Sequence, residues 1–305
     1  MYRRMLIPLD CSKTAEKVLP YARSLAGSLK IPVELMRVID ISEMTSQISP
    51  GKARFLDTIA EDEARSSRGY LEGIARRFPG IRVQCTVEKG KPAEVIIEKA
   101  AANKDMLIAM ATHGRSGLNR WLLGSVAEKV LRGSSTPLLL VRANEKAKSD
   151  GKATLKSVIV ALDGSELAES VLPAVVELAK ILNLEVQLIR AFDLPATMYG
   201  GEGRYAIDVD AIRKQFKSEA HAYLEKKAEE LRRLGLGKVS LVCSQGYSAD
   251  EILVLGQQIP DSLIAMCTHG RSGVTRWVLG SVTENVVRHS DNPLLVIRAT
   301  TRAND

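Results

Sequence analysis

The chain repeats itself, and that repeat limits what it can fold into more than any other feature. Residues 110–142 read MATHGRSGLNRWLLGSVAEKVLRGSSTPLLLVR, and residues 266–298 read MCTHGRSGVTRWVLGSVTENVVRHSDNPLLVIR. Aligned without a gap, 21 of these 33 positions are identical. The two apolar runs that open the copies, Met5–Asp10 and Val158–Asp163, align at an offset of 153, against 156 for the later stretch. The second copy therefore gains three residues between these anchors. Two copies of this length predict two domains; a solenoid needs shorter and more numerous units. The join, rich in Lys, Asn, Glu, Ser and Asp, has the polar composition of a surface linker. The expected division is a first domain over residues 1–146, a linker over 147–156 and a second domain over 157–305.

Within each copy, short apolar runs alternate with amphipathic stretches. Arg4–Leu9, Val33–Ile39, Arg82–Val87, Met106–Ala111 and Pro137–Val141 read as strands. Between them, Thr14–Leu29 carries Ala15, Val18, Leu19, Ala22, Leu25 and Ala26 at helical spacing. Asp57–Arg77, Ala93–Ala102 and Val126–Leu131 read as further helices. The second copy follows suit with strands at Ser157–Leu162, Glu185–Ala191, Val239–Cys243, Ser262–Cys267 and Leu294–Arg298. Strands separated by helices predict an α/β fold, a parallel sheet covered on both faces. Such sheets bind ligands at the carboxyl ends of their strands, beside the point where strand order reverses.

Composition removes several function classes. No apolar run reaches the ~18 residues of a membrane helix, and the basic start Met1–Pro8 reads as a first strand, not a signal peptide. The four cysteines, Cys11, Cys85, Cys243 and Cys267, show no disulfide or zinc spacing, so a reduced cytoplasmic setting is the default. Residues 1–150 hold 25 Lys and Arg against 17 Asp and Glu; residues 151–305 hold 18 against 19. The basic half mixes both signs along its helices, and aromatic residues make up 4% of the chain. That is too few for a base-stacking platform, so the composition argues against nucleic acid as a partner. There is no G-x-x-x-x-G-K-[ST] phosphate loop and no G-x-S-x-G nucleophile elbow. No acid and base stand at a diagnostic spacing, so a dedicated catalytic site is not expected.

The residues that follow the fourth strand carry the chemistry. Ala111-Thr112-His113-Gly114 leaves the sheet, nine residues follow, and Gly124-Ser125 opens a helix. The second copy has Cys267-Thr268-His269-Gly270, nine residues, then Gly280-Ser281. Glycine serves where the backbone takes a positive φ or must come close to a ligand. The amides of Ser125 and Val126, and of Ser281 and Val282, lie where a helix N-terminus attracts an anion. A capped helix after an ordinary loop is the alternative reading of the same residues. His113, His269, Arg115 and Arg271 are phosphate contacts or ordinary loop residues on this pattern alone. Asp10 and Asp163, each two residues before a serine, also read as helix caps.

These motifs resemble the universal stress protein (Usp) family, and the resemblance covers nearly the whole chain as two tandem Usp domains. The nucleotide-binding members carry G-x-x-G, nine residues, then G-[S/T]. Here Gly114, Gly124 and Ser125 match, as do Gly270, Gly280 and Ser281, while Ala111 and Cys267 replace the first glycine. The resemblance implies two Rossmann-like domains of the adenine nucleotide alpha hydrolase type. Each would be a five-stranded parallel sheet of order 3-2-1-4-5 with helices on both faces. It implies ATP held by the motif loop, with Mg²⁺ bridging the phosphates. It places Asp10 and Asp163 beside adenosine, at the ends of the first strands with Pro8 and Leu9, and with Ala161 and Leu162. Val38 and Ala191 would line adenine. It further implies a cytoplasmic stress-response protein whose two lobes pair as an intramolecular pseudo-dimer through their last strands, with further homo-oligomers on top. ATP would be an occupancy signal, with at most slow hydrolysis. The alternative is a nucleotide-free interaction protein on the same scaffold.

Overall fold

In a computed structural model of the 305-residue chain, the residues described are 2–42, 45, 56–112, 123–143, 151, 153–193, 208–268 and 279–298. The chain divides into two compact units. Unit 1 comprises Met1–Thr154 with Pro293–Arg298, and unit 2 comprises Leu155–Asn292 with Ala299–Asp305.

Unit 1 is built on strands β1 (Arg4–Pro8), β2 (Val33–Ile39), β3 (Val83–Lys89), β4 (Met106–Ala111) and β5 (Leu138–Val141). They run parallel in the order β3-β2-β1-β4-β5, with Met5 opposite Val33 on one side and Leu107 on the other. Every residue of β4 is buried, as expected of a strand covered on both faces. β3, at the edge, is half-exposed and carries Glu88 and Lys89, charges that discourage further pairing. The covering helices are α1 (Leu19–Leu29), α2 (Leu56–Ala75), α3 (Pro92–Ala101) and α4 (Ser125–Gly133).

Unit 2 repeats the plan with β6 (Ser157–Ala161), β7 (Glu185–Phe192), β8 (Val239–Gln245) and β9 (Ser262–Cys267), parallel in the order β8-β7-β6-β9. Its helices are α5 (Glu166–Glu169), α6 (Leu172–Leu182), α7 (Val209–Arg233), α8 (Ser248–Gln258) and α9 (Ser281–His289). The strand that closes the second repeat, β10 (Leu294–Ile297), falls with unit 1, where it lies antiparallel to β5 with Leu295 opposite Leu139. The apolar edge of β5 is thereby covered. Arg298, just beyond β10, donates to the carbonyls of Arg132 and Ser134 at the end of α4.

The sequence pattern predicts one continuous helix over residues 14–29, and the structure breaks it. Ala15–Val18 forms a 3₁₀ turn and the α-helix starts at Leu19, with Pro20 in its first turn. Unit 2 breaks at the same place, α5 ending at Glu169 and α6 starting before Pro173. Proline has no N–H to give a preceding turn and is favoured at a helix start, so it resets the helix there. Both helices then end on left-handed residues, Lys30 (φ 54°) and Asn183 (φ 53°). Among the described residues, no helix is long and apolar enough to cross a membrane.

Candidate functional site

In unit 1 the neighbours of β1 are β2 on one side and β4 on the other, so the connections leave in opposite directions at the carboxyl ends of β1 and β4. A crevice opens at such a point. A cavity of about 280 Å³ occupies it. Its floor is the end of β1, Pro8, Leu9 and Asp10; Val38 of β2 lines one wall, and Ala111 and Thr112 leave β4 on the other. Gly124, Ser125 and Val126 close it with the N-terminus of α4. Unit 2 holds a matching cavity of about 310 Å³. There Ala161, Leu162 and Asp163 form the floor, Ala191 and Cys267 the walls, and Gly280, Ser281 and Val282 the helix end. Thr268 is buried beside it, its carbonyl accepting the Gly280 N–H. His113, Gly114 and Arg115, with His269, Gly270 and Arg271, lie outside the described residues.

Local chemistry fixes both rims. The Gly124 N–H donates to Thr112 O at 2.5 Å, and the Gly280 N–H to Thr268 O at 2.8 Å. These bonds tie each helix start to its strand end. Gly124 has φ −58° and Gly280 φ −60°, conformations open to any residue. A positive φ is therefore not why glycine stands here; the missing side chain leaves room at the helix end. Glycine at the cap position gives α4 and α9 no side-chain cap of its own, and the first amides of a helix have no partner within it. A helix N-terminus carries roughly half a positive charge.

The aspartates are held from the opposite rim. Asp10 Oδ1 accepts from the Ser12 N–H at 2.9 Å and from its hydroxyl at 2.5 Å, and Ser12 Oγ in turn accepts the Ala15 N–H. Asp163 and Ser165 repeat this at 2.9 and 2.6 Å, with Ser165 Oγ taking the Ala168 N–H. Ser165 is the cap residue of α5, while in unit 1 Ser12 bonds the first amide of the 3₁₀ turn from two residues ahead of its cap, Thr14. In each copy the serine orients the aspartate, with its carboxylate at the cavity floor. The residue after each aspartate is left-handed: Gly164 at φ 91° and, without glycine's freedom, Cys11 at φ 65°. A side chain in that conformation costs about 1–2 kcal/mol. Cys11→Gly should therefore stabilise unit 1 by about 1 kcal/mol, measured as slower amide exchange in β1 and β4.

Cys267 Sγ lies 2.9 Å from Ser170 Oγ. Burial pushes its thiol up to about 11, against the lowering effect of Ser170, so the cavity of unit 2 presents a neutral thiol where unit 1 presents a methyl group.

Two segments of the chain, residues 1–142 and 154–298, match the sequence profile of the universal stress protein family. The chain belongs to that family. A universal stress protein of Mycolicibacterium smegmatis is 21% identical over 305 residues, covering 96% of each chain. One of Methanocaldococcus jannaschii is 29% identical over 146 residues, 48% of this chain and 85% of that protein. The crystal structure of a universal stress protein from Archaeoglobus fulgidus covers 98% of this chain and 100% of its own, with a TM-score of 0.73 at 22% identity, and so shares the fold.

In this universal stress protein the motif reading missed part of each cavity. Met36, Arg37, Pro92 and Ile96 also line the cavity of unit 1, and Ile189, Ser248 and Ile252 that of unit 2. It also missed Glu16 and Glu169, which anchor the turns behind the aspartates, and their partners Tyr70 and Tyr223. The signal was present: Ala-Glu-x-Val-Leu-Pro recurs at 15–20 and 168–173, and Tyr-Leu-Glu at 70–72 and 223–225.

Proposed function

We propose that this universal stress protein binds ATP in both cavities and uses its occupancy as a signal, in the cytoplasm, with at most slow hydrolysis. One observation carries the reading. The same cavity is built twice, with a carboxylate at the strand end on one rim and a helix N-terminus capped by glycine on the other. A nucleotide has matching ends: a ribose and base that hydrogen-bond to a carboxylate or lie on apolar walls, and phosphates that suit helix amides. Volumes of about 280 and 310 Å³ bracket the lower limit of the ~300–1,000 Å³ range of ligand cavities, with room for one small ligand each. Among the described residues no group of three or more His, Cys, Asp or Glu could hold a metal, so Mg²⁺ would travel on the phosphates. The antiparallel register of β5 with β10 supports the further reading that the two repeats pair through their closing strands as a pseudo-dimer.

A second reading, a nucleotide-free interaction protein, draws support from the aspartates, whose carboxylates already orient a capping serine. Mass spectrometry of the denatured, purified chain separates the two. Carried-over ATP or AMP, and a calorimetric titration with two ATP per chain, are the expected results. Neither nucleotide nor binding heat would leave the second reading standing.

A further inference from the structure

Behind each strand-end aspartate runs the same relay of hydrogen bonds to the long helix of its unit. In unit 1 the Tyr70 hydroxyl, on α2, donates to Glu16 Oε1 at 3.4 Å. The Glu16 N–H donates to Ser12 O, and Ser12 donates twice to Asp10. In unit 2 the Tyr223 hydroxyl, on α7, donates to Glu169 Oε1 at 2.8 Å, the Glu169 N–H to Ser165 O, and Ser165 twice to Asp163. The two tyrosines stand 54 residues after their glutamates in both copies.

The cations around this pair are not repeated. Glu16 is fully buried and takes Arg77 at 2.7 Å and Lys13 at 2.9 Å. Glu169 takes Lys227 at 2.8 Å, and Lys227 aligns with Ile74 at the offset of 153. Arg77 aligns with Glu230. The two units thus meet the charge of the glutamate from different positions but keep the tyrosine and the glutamate themselves. A buried carboxylate is expensive, and an apolar side chain would pack a helix against a turn at lower cost. The pair instead fixes direction: a hydroxyl and a carboxylate meet in one geometry, whereas apolar contacts slide. Burial raises both tyrosines; on Tyr70 the charge of Glu16, then of Cys11, the Glu16 hydrogen bond and the charge of Asp10 add to it, and on Tyr223 the hydrogen bond and charge of Glu169 and the charge of Asp163 do so against the lowering effect of Arg190. Both phenols therefore stay protonated donors, within the field of the aspartates they support.

We propose that Tyr70 and Tyr223 are positioning residues for Asp10 and Asp163, acting through Glu16 and Glu169, so that filling a cavity tightens the long helix of its unit. The inference rests on the nucleotide reading above and gives occupancy a place to be read. Tyr223 carries more of the load, because its hydrogen bond is shorter and Glu169 has fewer donors.

Amide hydrogen exchange of the full chain, with and without ATP, tests it. In the unmutated chain ATP should slow exchange at residues 124–131 and 281–288, and also along 66–75 and 219–230. Tyr70→Phe keeps the ring and removes the hydroxyl. It should keep the ATP effect at 124–131, lose it along 66–75, and leave unit 2 unchanged as an internal control. Tyr223→Phe should do the mirror image. ATP affinity at the altered unit should fall about threefold for Tyr70→Phe and about tenfold for Tyr223→Phe. Should Tyr70→Phe loosen unit 1, Tyr223→Phe in unit 2 is the second route, and should lose the ATP effect along 219–230 while keeping it at 281–288. A role in packing alone predicts faster exchange in the helix with and without ATP, and an unchanged difference between the two; that result overturns the proposal. No ATP effect at 124–131 or 281–288 in the unmutated chain overturns the nucleotide reading and this one with it. An effect there with none along 66–75 or 219–230 overturns the coupling alone.

Discussion

Gly124→Val should lower the ATP stoichiometry of the full chain from two to one, and Gly280→Val should do the same from the other unit. The argument is steric and electrostatic together. Each glycine is the cap residue of its helix, offers no side chain to the first amides, and lines its cavity. A Cβ and two methyl groups at the cap position would crowd a phosphate approaching those amides. Losing about two charge-assisted hydrogen bonds, at ~1.5–3 kcal/mol each, weakens binding by about 100-fold or more. The fold should tolerate the change, since φ near −60° with ψ near 140° suits valine. Calorimetry with ATP reads the stoichiometry, and circular dichroism confirms that the variant is folded. Two sites of unchanged affinity in folded Gly124→Val would remove the helix end from the binding site. Loss of both sites in the single variant would mean that the two cavities do not act as separate sites.

The sheet of each unit was legible because its signal is local. Runs such as Met106–Ala111 and Ser262–Cys267 are buried at every residue, and such runs read as central strands from sequence alone. The cavities were legible in part for a related reason. Strand ends and the Gly-Ser helix starts lie close to their motifs in sequence, and most of those motif residues line one cavity or the other. What sequence reading missed depends on distance. Met36, Ile96 and Ile252 reach the cavities from elements whose apolar faces read simply as core. Tyr70 meets Glu16 across 54 residues, and neither stands in a phosphate or capping motif. The break at Pro20 and Pro173 was missed because the apolar spacing runs through it unbroken; backbone chemistry overrode the pattern. The capping reading of Asp10 holds only at one remove: Ser12 takes the Ala15 N–H, and separate hydrogen bonds from Ser12 hold the Asp10 carboxylate.

Arg77→Met should destabilise unit 1 by about 2–3 kcal/mol at neutral pH, and the loss should shrink in acid. Glu16 is fully buried, and Arg77 Nη1 reaches its Oε2 at 2.7 Å. Removing one partner of a buried pair costs ~3–5 kcal/mol; the exposed Lys13 remains on Oε1 and keeps the effect below that range. The pH dependence follows from Glu16 itself. Burial raises its carboxyl, but the hydrogen bonds from Lys13 and Arg77 outweigh burial and hold it below its ordinary value of 4.5. A carboxyl held low in the folded state contributes stability that is complete above its unfolded value and is lost as pH falls through the folded one. In the unmutated protein that loss lies below pH 4.5. With methionine at position 77 the largest lowering partner after Lys13 is gone while burial remains, so the carboxyl moves upward and takes a proton at a higher pH. Protonation then relieves a charge left with Lys13 as its one cation, and the two proteins converge in stability as pH falls. Because a chain of two units need not unfold in one step, the measurement is amide exchange of β1 and β4, taken at neutral pH and again near pH 4. A difference that stays constant, or grows, toward acid would show that Arg77 stabilises the unit through packing of its stem and not through the charge on Glu16.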